Sequence, residues 1–272
     1  MTPVDDAPPP LARFRAEYGA HRAAEGRGHG RAELLSLPYL RSGPLARQWA
    51  VRARSHDAFV RSVLAPAAAE RGGPVRLLDL GAGNGWLCRR AALAGHRAVA
   101  LDLREDDVDG LGAAGRYLED APGLFVRVAA SFDALPFPAD RFDVAVFNAS
   151  LHYALDLRAV LAEAARVVRP GGRLAVVDSP FYAREAEGTA MVAEKRREAT
   201  HRFGERAGVL LGLPFVEFLT RERLDAASAG LGLAWRRRRV AYPLWYELRP
   251  LLARLRRRRR PSRFDLWHAT VP

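Results

Sequence analysis

The sequence has one cysteine, Cys88, and one lysine, Lys195, among 272 residues. A single cysteine excludes an internal disulfide and a cysteine-based zinc cluster. The seven histidines are scattered with no H-x-x-x-H pair, so no metal site is expected. Long apolar runs are absent too. The most apolar stretch, Gly208 to Leu219, is 12 residues and contains Glu217, whereas a bilayer span takes about 18 or more. No charged-then-apolar leader pattern is present. Together these absences set the expectation of a reducing, cytoplasmic setting.

The scarcity of lysine makes arginine 42 of the 43 basic residues. Two runs, Arg236–Arg239 and Arg256–Arg260, hold nine of them, and without those nine the net charge of +12 falls to +3. The basicity is therefore local, which argues against a general nucleic-acid binder. The length suits one large domain, or one domain with a small cap, and can bury a core without a covalent staple.

Residues 1–10, with Pro3 and Pro8–Pro10, read as a disordered lead. Residues 11–72 read as a helical cap, because Leu45, Trp49, Arg52, His56 and Phe59 recur at helical spacing. Gly72-Gly73-Pro74 breaks the chain. Short apolar runs then alternate with helical stretches. Strands are expected at Val75–Leu80, Arg97–Leu103, Phe125–Val128, Asp143–Phe147, Arg173–Val177, Leu233–Tyr242 and Phe264–Val271. Helices are expected near Trp86–Ala94, Asp106–Leu118, Leu157–Val168, Ala183–Gly204, Thr220–Gly230 and Leu244–Leu255. Strand–helix alternation implies a parallel sheet with helices on both faces.

The informative segment is Leu77-Leu78-Asp79-Leu80-Gly81-Ala82-Gly83-Asn84-Gly85-Trp86, a strand, a glycine turn and a helix start. Glycines permit positive φ and close approach of a ligand to the backbone. A second strand ends in Asp102, 21 residues after Gly81, which puts a carboxylate where it can accept from both hydroxyls of a ribose. The turn is G-x-G-x-G rather than the dinucleotide G-x-G-x-x-G. Asp79 beside it would repel a pyrophosphate and favour an ammonium or sulfonium, so a zwitterionic nucleoside suits it better than NAD.

Leu78 to Gly85 resembles motif I of class I S-adenosylmethionine-dependent methyltransferases. Ser131 to Phe147, with Leu135-Pro136-Phe137-Pro138 and Arg141-Phe142-Asp143-Val144, is similar to the family's acidic-loop and fourth-strand segment. Val167-Val168-Arg169-Pro170-Gly171-Gly172-Arg173-Leu174 is similar to its turn into the fifth strand. The three blocks stand in the family's order over residues 75–180, and most resemble the subgroup of ubiquinone/menaquinone methyltransferases and many small-molecule enzymes.

The resemblance implies a Rossmann-like, doubly wound α/β fold with a seven-stranded, mostly parallel sheet, here with the N-terminal helical cap. It implies S-adenosyl-L-methionine as cofactor. Gly81, Ala82, Gly83 and Gly85 would line its amino-acid part, and Asp79 would face its ammonium directly or through water. Asp102 would bind the ribose and Leu103 would pack on the adenine. Phe132 would offer its backbone N–H to that ring. The family usually has an Asp where this chain has Ser131, so either Ser131 or the nearby Asp133 would accept from the adenine amino group. Asn148 would sit near the transferring methyl. The loop after it carries His152 and Tyr153, which would orient the acceptor or take its proton, or else only pack locally.

Residues 73–272 are thus expected to form the methyltransferase domain, with an acceptor-side insertion over 181–219 whose Phe215 and Phe218 form a pocket wall. Trp49 and Arg52 read either as a lid over the cofactor or as a helix packed on the sheet. Arg236–Arg239 would lie in a strand, lining the edge near the site or merely solvated. Arg256–Arg260, with Trp245 and Tyr246 nearby, reads as a solvated helix end or as a peripheral contact with an anionic membrane surface. The expected function is methyl transfer to a small-molecule or lipid-like acceptor. Two alternatives stay open: an RNA methyltransferase, against which Asn148-Ala149-Ser150-Leu151 lacks the N/D-P-P-Y/F motif, and a non-catalytic S-adenosylmethionine-binding partner or regulatory module.

Overall fold

A computed structural model describes residues 29–119, 121–203 and 212–272. The expected lead over 1–10, the first part of the cap and Gly208 to Leu211 lie outside the described residues. The described part begins with α1 (Arg31–Ser36). It continues into α2 (Ala46–Phe59), a π-helical turn over Val60–Leu64, and α3 (Ala65–Arg71), which ends at Gly72 in the left-handed region. Seven strands follow: β1 (Arg76–Leu80), β2 (Arg97–Asp102), β3 (Val126–Ala129), β4 (Phe142–Asn148), β5 (Val168–Val177), β6 (Arg236–Arg238) and β7 (Leu266–Thr270). The helices among them are α4 (Trp86–Leu93), α5 (Gly115–Leu118), α6 (Leu157–Val167), α7 (Glu185–Phe203), α8 (Arg221–Ala227), α9 (Leu244–Glu247) and α10 (Arg249–Leu255).

The strands form one sheet in the order β3-β2-β1-β4-β5-β7-β6. Five are parallel, and β7 runs antiparallel to both β5 and β6. β1 and β4 are adjacent but far apart in sequence, so the winding direction reverses between them. A crevice at the carboxyl ends of strands beside such a switch point is where open α/β sheets bind ligands.

The apolar runs of β1 and β4 are buried on both faces, as a central parallel strand demands. One face packs Trp49, Phe59, Leu64, Trp86 and Tyr117 against Leu77, Val144 and Val146. The other packs Leu161, Val167, Phe181 and Trp267 against Leu78, Leu80, Ala145 and Phe147. The N-terminal helices therefore share the core of the sheet.

Two expected elements are shorter than the pattern suggested. Over Asp106–Leu118 only α5 is helical. Asp106 Oδ1 accepts from the Val108 and Asp109 N–H groups at 3.1 and 3.0 Å, which makes a turn instead of a helical start. The strand expected over Leu233–Tyr242 contracts to β6, an edge strand paired on one side only. Just beyond it, the Val240 N–H is taken by the Asp265 side chain instead of a neighbouring strand.

Asp143, at the start of β4, is fully buried beneath three arginines. Arg71 of α3, Arg76 of β1 and Arg169 of β5 reach it at 2.6, 3.2 and 2.8 Å. Burial alone would raise its carboxyl, but these hydrogen bonds overcome that and hold it down at about 2. The motif residue is thus a clamp at the end of the sheet opposite the crevice.

Candidate active site

β1 runs directly into the glycine turn. The N–H groups of Gly81 and Ala82 both donate to the Leu101 carbonyl, at 2.8 and 2.9 Å, tying the turn to the end of β2. Gly81 has φ +76°, and a Cβ there would fall 2.4 Å from Cβ of Ser150. Ser150 in turn donates its hydroxyl to the Leu80 carbonyl. Glycine at this position is therefore required by the packing of two strand tips as well as by any ligand.

Asp102, at the tip of β2, is held from both sides. Its Oδ2 accepts from the Gly83 N–H at 2.7 Å and its Oδ1 from the Arg104 N–H at 2.8 Å. Burial pushes its carboxyl up, and the Arg104 charge and these two N–H groups oppose the rise. The side chain faces a cavity at the carboxyl ends of β1, β2 and β4.

That cavity collects most of the expected residues. Gly81, Ala82, Gly83, Asp102, Leu103, Ser131, Phe132 and Asn148 all line it. Ser131 and Asp133 both reach the lining. Phe132 stands edge-on to Phe147 of β4 at 6.1 Å, which fixes its ring against the core. The Asn148 carboxamide oxygen is buried on this lining without a hydrogen-bond partner.

Two expected residues lie elsewhere. Asp79 is wholly buried beneath the turn, off the lining, with Oδ2 3.9 Å from the Cys88 thiol and Oδ1 unpartnered. Burial pushes both its carboxyl and the thiol up. Gly85 is also off the lining; a Cβ there would meet Ala114 and Phe125 at 3.1 Å, so it spaces α4 from the segment carrying α5 and β3.

A second cavity opens beside the first and shares Arg52, Ala149 and Tyr153 with it. His152 and Asp178 line it from the tips of β4 and β5; Gln48 and Val51 line it from α2; Trp245, Tyr246, Arg249 and Phe264 close it. Ala149 and Asp178 both have positive φ, +58° and +55°, although neither is glycine. Such backbone is uncommon and gathers at functional sites. Ser55 donates to Asp178 Oδ1 at 2.5 Å and sits 2.8 Å from the Tyr242 hydroxyl. Asp178 Oδ2 is buried and has no hydrogen-bond partner. Burial raises the Asp178 carboxyl, partly countered by Arg52 and Ser55. The His152 ring lies 4.2 Å from that of Tyr153, with Nδ1 3.4 Å from the Ser179 hydroxyl.

The two readings of Trp49 and Arg52 divide between the residues. Trp49 is core, edge-on to Trp86, while Arg52 stands over it at the junction of the cavities. Phe215 lines the first cavity and meets Tyr153 edge-on at 5.6 Å. Phe218 lines neither; it is buried under Arg223 and against Tyr182. Arg236–Arg239 lies at the far sheet edge, away from both cavities. Sequence reasoning missed Asp178, Ser55 and Tyr242. The available signal was an acid directly after the apolar run of β5, the same pattern that singled out Asp102.

The fold and the first cavity define a class: a doubly wound α/β domain with a glycine turn and an acid-tipped second strand at its switch point. Residues 78–176 match the family model described as a methyltransferase domain. A 27-O-demethylrifamycin SV methyltransferase of Amycolatopsis mediterranei is 39% identical over 104 residues, 38% of each chain. A ubiquinone/menaquinone biosynthesis C-methyltransferase of Dinoroseobacter shibae is 37% identical over 146 residues, 51% of each chain. The chain spans about half or less of the length of these curated relatives. A crystal structure of Burkholderia thailandensis 1,6-didemethyltoxoflavin-N1-methyltransferase superposes with a TM-score of 0.55 at 19% identity, covering 98% of this chain and 92% of that one, and so shares the fold. Over residues 78–176, which carry the glycine turn and the tips of β2 and β4, the chain is similar to methyltransferase domains.

Among the described residues there is no cluster of His, Cys, Asp or Glu fit for a metal, and no helix long and apolar enough to cross a membrane.

Proposed function

We propose that the protein transfers a methyl group from S-adenosylmethionine in the first cavity to a small-molecule or lipid-like acceptor in the second. The observation that carries this reading is the junction at Arg52, Ala149 and Tyr153. There a cavity walled by Asp102 and the glycine turn meets one walled by aromatic rings, His152 and Asp178.

The residues present fit the cofactor. Asp102 supplies a carboxylate for the ribose hydroxyls, and Leu103 and Phe132 supply apolar surface for the adenine. The unpartnered Asn148 oxygen can accept from the ammonium end. The bound cofactor supplies an electrophilic methyl on a sulfonium. The chain aligns the acceptor for in-line attack and excludes water. An O–H or N–H acceptor loses its proton as the new bond to carbon forms and the carbon–sulfur bond breaks. We assign the proton to Asp178 Oδ2, and orientation of the acceptor to His152 and Tyr153.

Calorimetric titration of S-adenosylmethionine and S-adenosylhomocysteine tests the cofactor half, with Asp102→Ala as control. Saturable binding that the substitution weakens by about a hundredfold supports the reading, since two hydrogen bonds to a charged group are lost. Absence of binding to the unaltered protein overturns it. Turnover with any acceptor would exclude the non-catalytic alternative.

A further inference from the structure

Five of the nine exposed large apolar side chains among the described residues lie within the 12 residues Leu244–Leu255. Leu244, Leu248, Leu251, Leu252 and Leu255 are 74, 41, 53, 44 and 72% exposed. Their spacing of i, i+4, i+7, i+8 and i+11 puts them on one side of a helix. α9 and α10 follow one another through Leu248, which keeps right-handed backbone; its N–H donates to the Leu244 carbonyl and its carbonyl accepts from Leu252 N–H, both at 3.0 Å, and Pro250 stands in the first turn of α10. Another side of the same helix carries Trp245, Tyr246 and Arg249, which wall the second cavity. The leucines therefore leave much of their apolar surface uncovered by the rest of the protein, Leu244 and Leu255 most of all.

The charge carried by this segment is of one sign; within its arginine run Arg259 is paired, with Glu194 of α7 at 2.6 Å. Arg254, Arg256, Arg257, Arg258 and Arg260 are exposed at the end of the helix. No acidic residue occurs from Leu248 to Ser262. The nearest, Glu247, is engaged by Arg263 at 2.8 and 2.9 Å. A second copy of the chain docked through this face would bring two such arginine clusters together, which is repulsive. A surface that offers apolar depth and anionic groups at once matches both features.

We propose that Leu244–Arg260 is a membrane-docking element that lies in the plane of an anionic bilayer surface. Its leucines enter the acyl boundary and its arginines meet the headgroup phosphates. Docking stands independently of methyl transfer. Its consequence for the acceptor rests on the reading above: the docked helix holds the second cavity against the bilayer, where a lipid-like acceptor is concentrated.

The test is flotation of the full chain with vesicles of equimolar phosphatidylglycerol and phosphatidylcholine, and with phosphatidylcholine alone. Two variants are compared, Leu251→Glu/Leu255→Glu and Arg256→Gln/Arg257→Gln/Arg258→Gln. Binding is expected on the anionic vesicles, with each variant weakening it by about tenfold or more; an interfacial arginine alone is worth about fivefold. Calorimetry with S-adenosylmethionine, run on the same samples, checks the cofactor reading separately, and both variants should match the unaltered protein. No vesicle binding overturns the proposal. So does binding that the leucine variant leaves intact, which would mean adsorption of arginines to polyanions alone. Loss of self-association in the leucine variant, without vesicle binding, would assign the face to a second copy and overturn it as well.

Discussion

Ser55 of α2 donates to Asp178 Oδ1 at 2.5 Å across 123 positions of sequence, and leaves Oδ2 of the same carboxylate, in a residue that lines the second cavity, buried and without a hydrogen-bond partner. If that oxygen receives the acceptor proton, Asp178→Asn should lower kcat by about a hundredfold, the lower range for loss of a general base. Cofactor affinity should stay within about twofold, because Asp178 is not on the first cavity's lining. Ser55→Ala separates positioning from chemistry. The Ser55 hydrogen bond favours the charged carboxylate, and burial already pushes the group up. Without that bond it should rise further, moving the acidic limb of the pH–rate profile to higher pH. An unmoved limb would mean that another group titrates in turnover, and His152 would be next.

The contact between Gly81 and Ser150 gives a test of what the glycine turn is for. Gly81→Ala adds a Cβ 2.4 Å from that of Ser150 at a φ of +76°. Overpacking and left-handed strain together should cost about 3 kcal/mol in unfolding free energy. Adding Ser150→Gly removes the overlap but not the strain. A double-mutant cycle should therefore show coupling of about 1–2 kcal/mol, recovered stability and only partial recovery of cofactor binding. Zero coupling would mean that the turn moves away from β4 freely.

Much of this architecture is legible in the residues. The runs at Leu77–Leu80, Ala98–Leu101 and Val144–Phe147 are buried on both faces, so periodicity and length alone mark them as central strands. The turn residues between them have few conformational alternatives. The first cavity is equally legible, since its residues cluster at strand tips whose order follows from the strand–helix rhythm. Asp79 and Gly85 show the limit: sequence position places them at the turn, but not whether a side chain faces the ligand or the protein. The second cavity is legible only in His152, Tyr153 and Arg52. It is assembled from α2, the tips of β4 and β5 and the segment around α9, four regions distant in sequence that carry no shared pattern. Nor does sequence spacing show that Asp106 would cap a turn and cut short the helix expected there.

Asp143 contributes to the acid stability of the sheet. Its carboxyl is held at about 2 in the folded chain, below its ordinary value near 3.8. The folded state therefore binds its proton less readily than the unfolded chain does. The stabilisation is full above the ordinary value and is lost as pH falls from there through about 2. After screening through the partly exposed arginines, its size is about 2 kcal/mol. Asp143→Asn should cost about 3 kcal/mol at neutral pH, because three guanidinium groups lose their counter-charge. Denaturant midpoints at neutral pH and near pH 3 check both statements. The variant should lose the part of that dependence that Asp143 supplies, while Glu247, held at about 2 by Arg263, keeps its own.

Phe215 and Phe218 were expected to form one wall, and the structure separates them. Phe215 is half-buried on the first cavity, held by the backbone bonds from Val216 N–H to the Ala154 carbonyl and from Glu217 N–H to the His152 carbonyl, at 2.9 and 2.8 Å. Phe218 is buried so tightly that a Cβ on Gly188 of α7 would lie 2.1 Å from its ring. Phe218→Ala should therefore open a cavity and cost about 3–5 kcal/mol, with ligand affinities changing only as stability fails. Phe215→Ala should cost less than about 1 kcal/mol in stability, yet weaken acceptor binding and lower kcat, because Tyr153 loses the ring against which it stands. Thermal unfolding and steady-state kinetics on the pair distinguish these outcomes. Equal losses of stability would place Phe215 in the core with Phe218 and remove it from the junction.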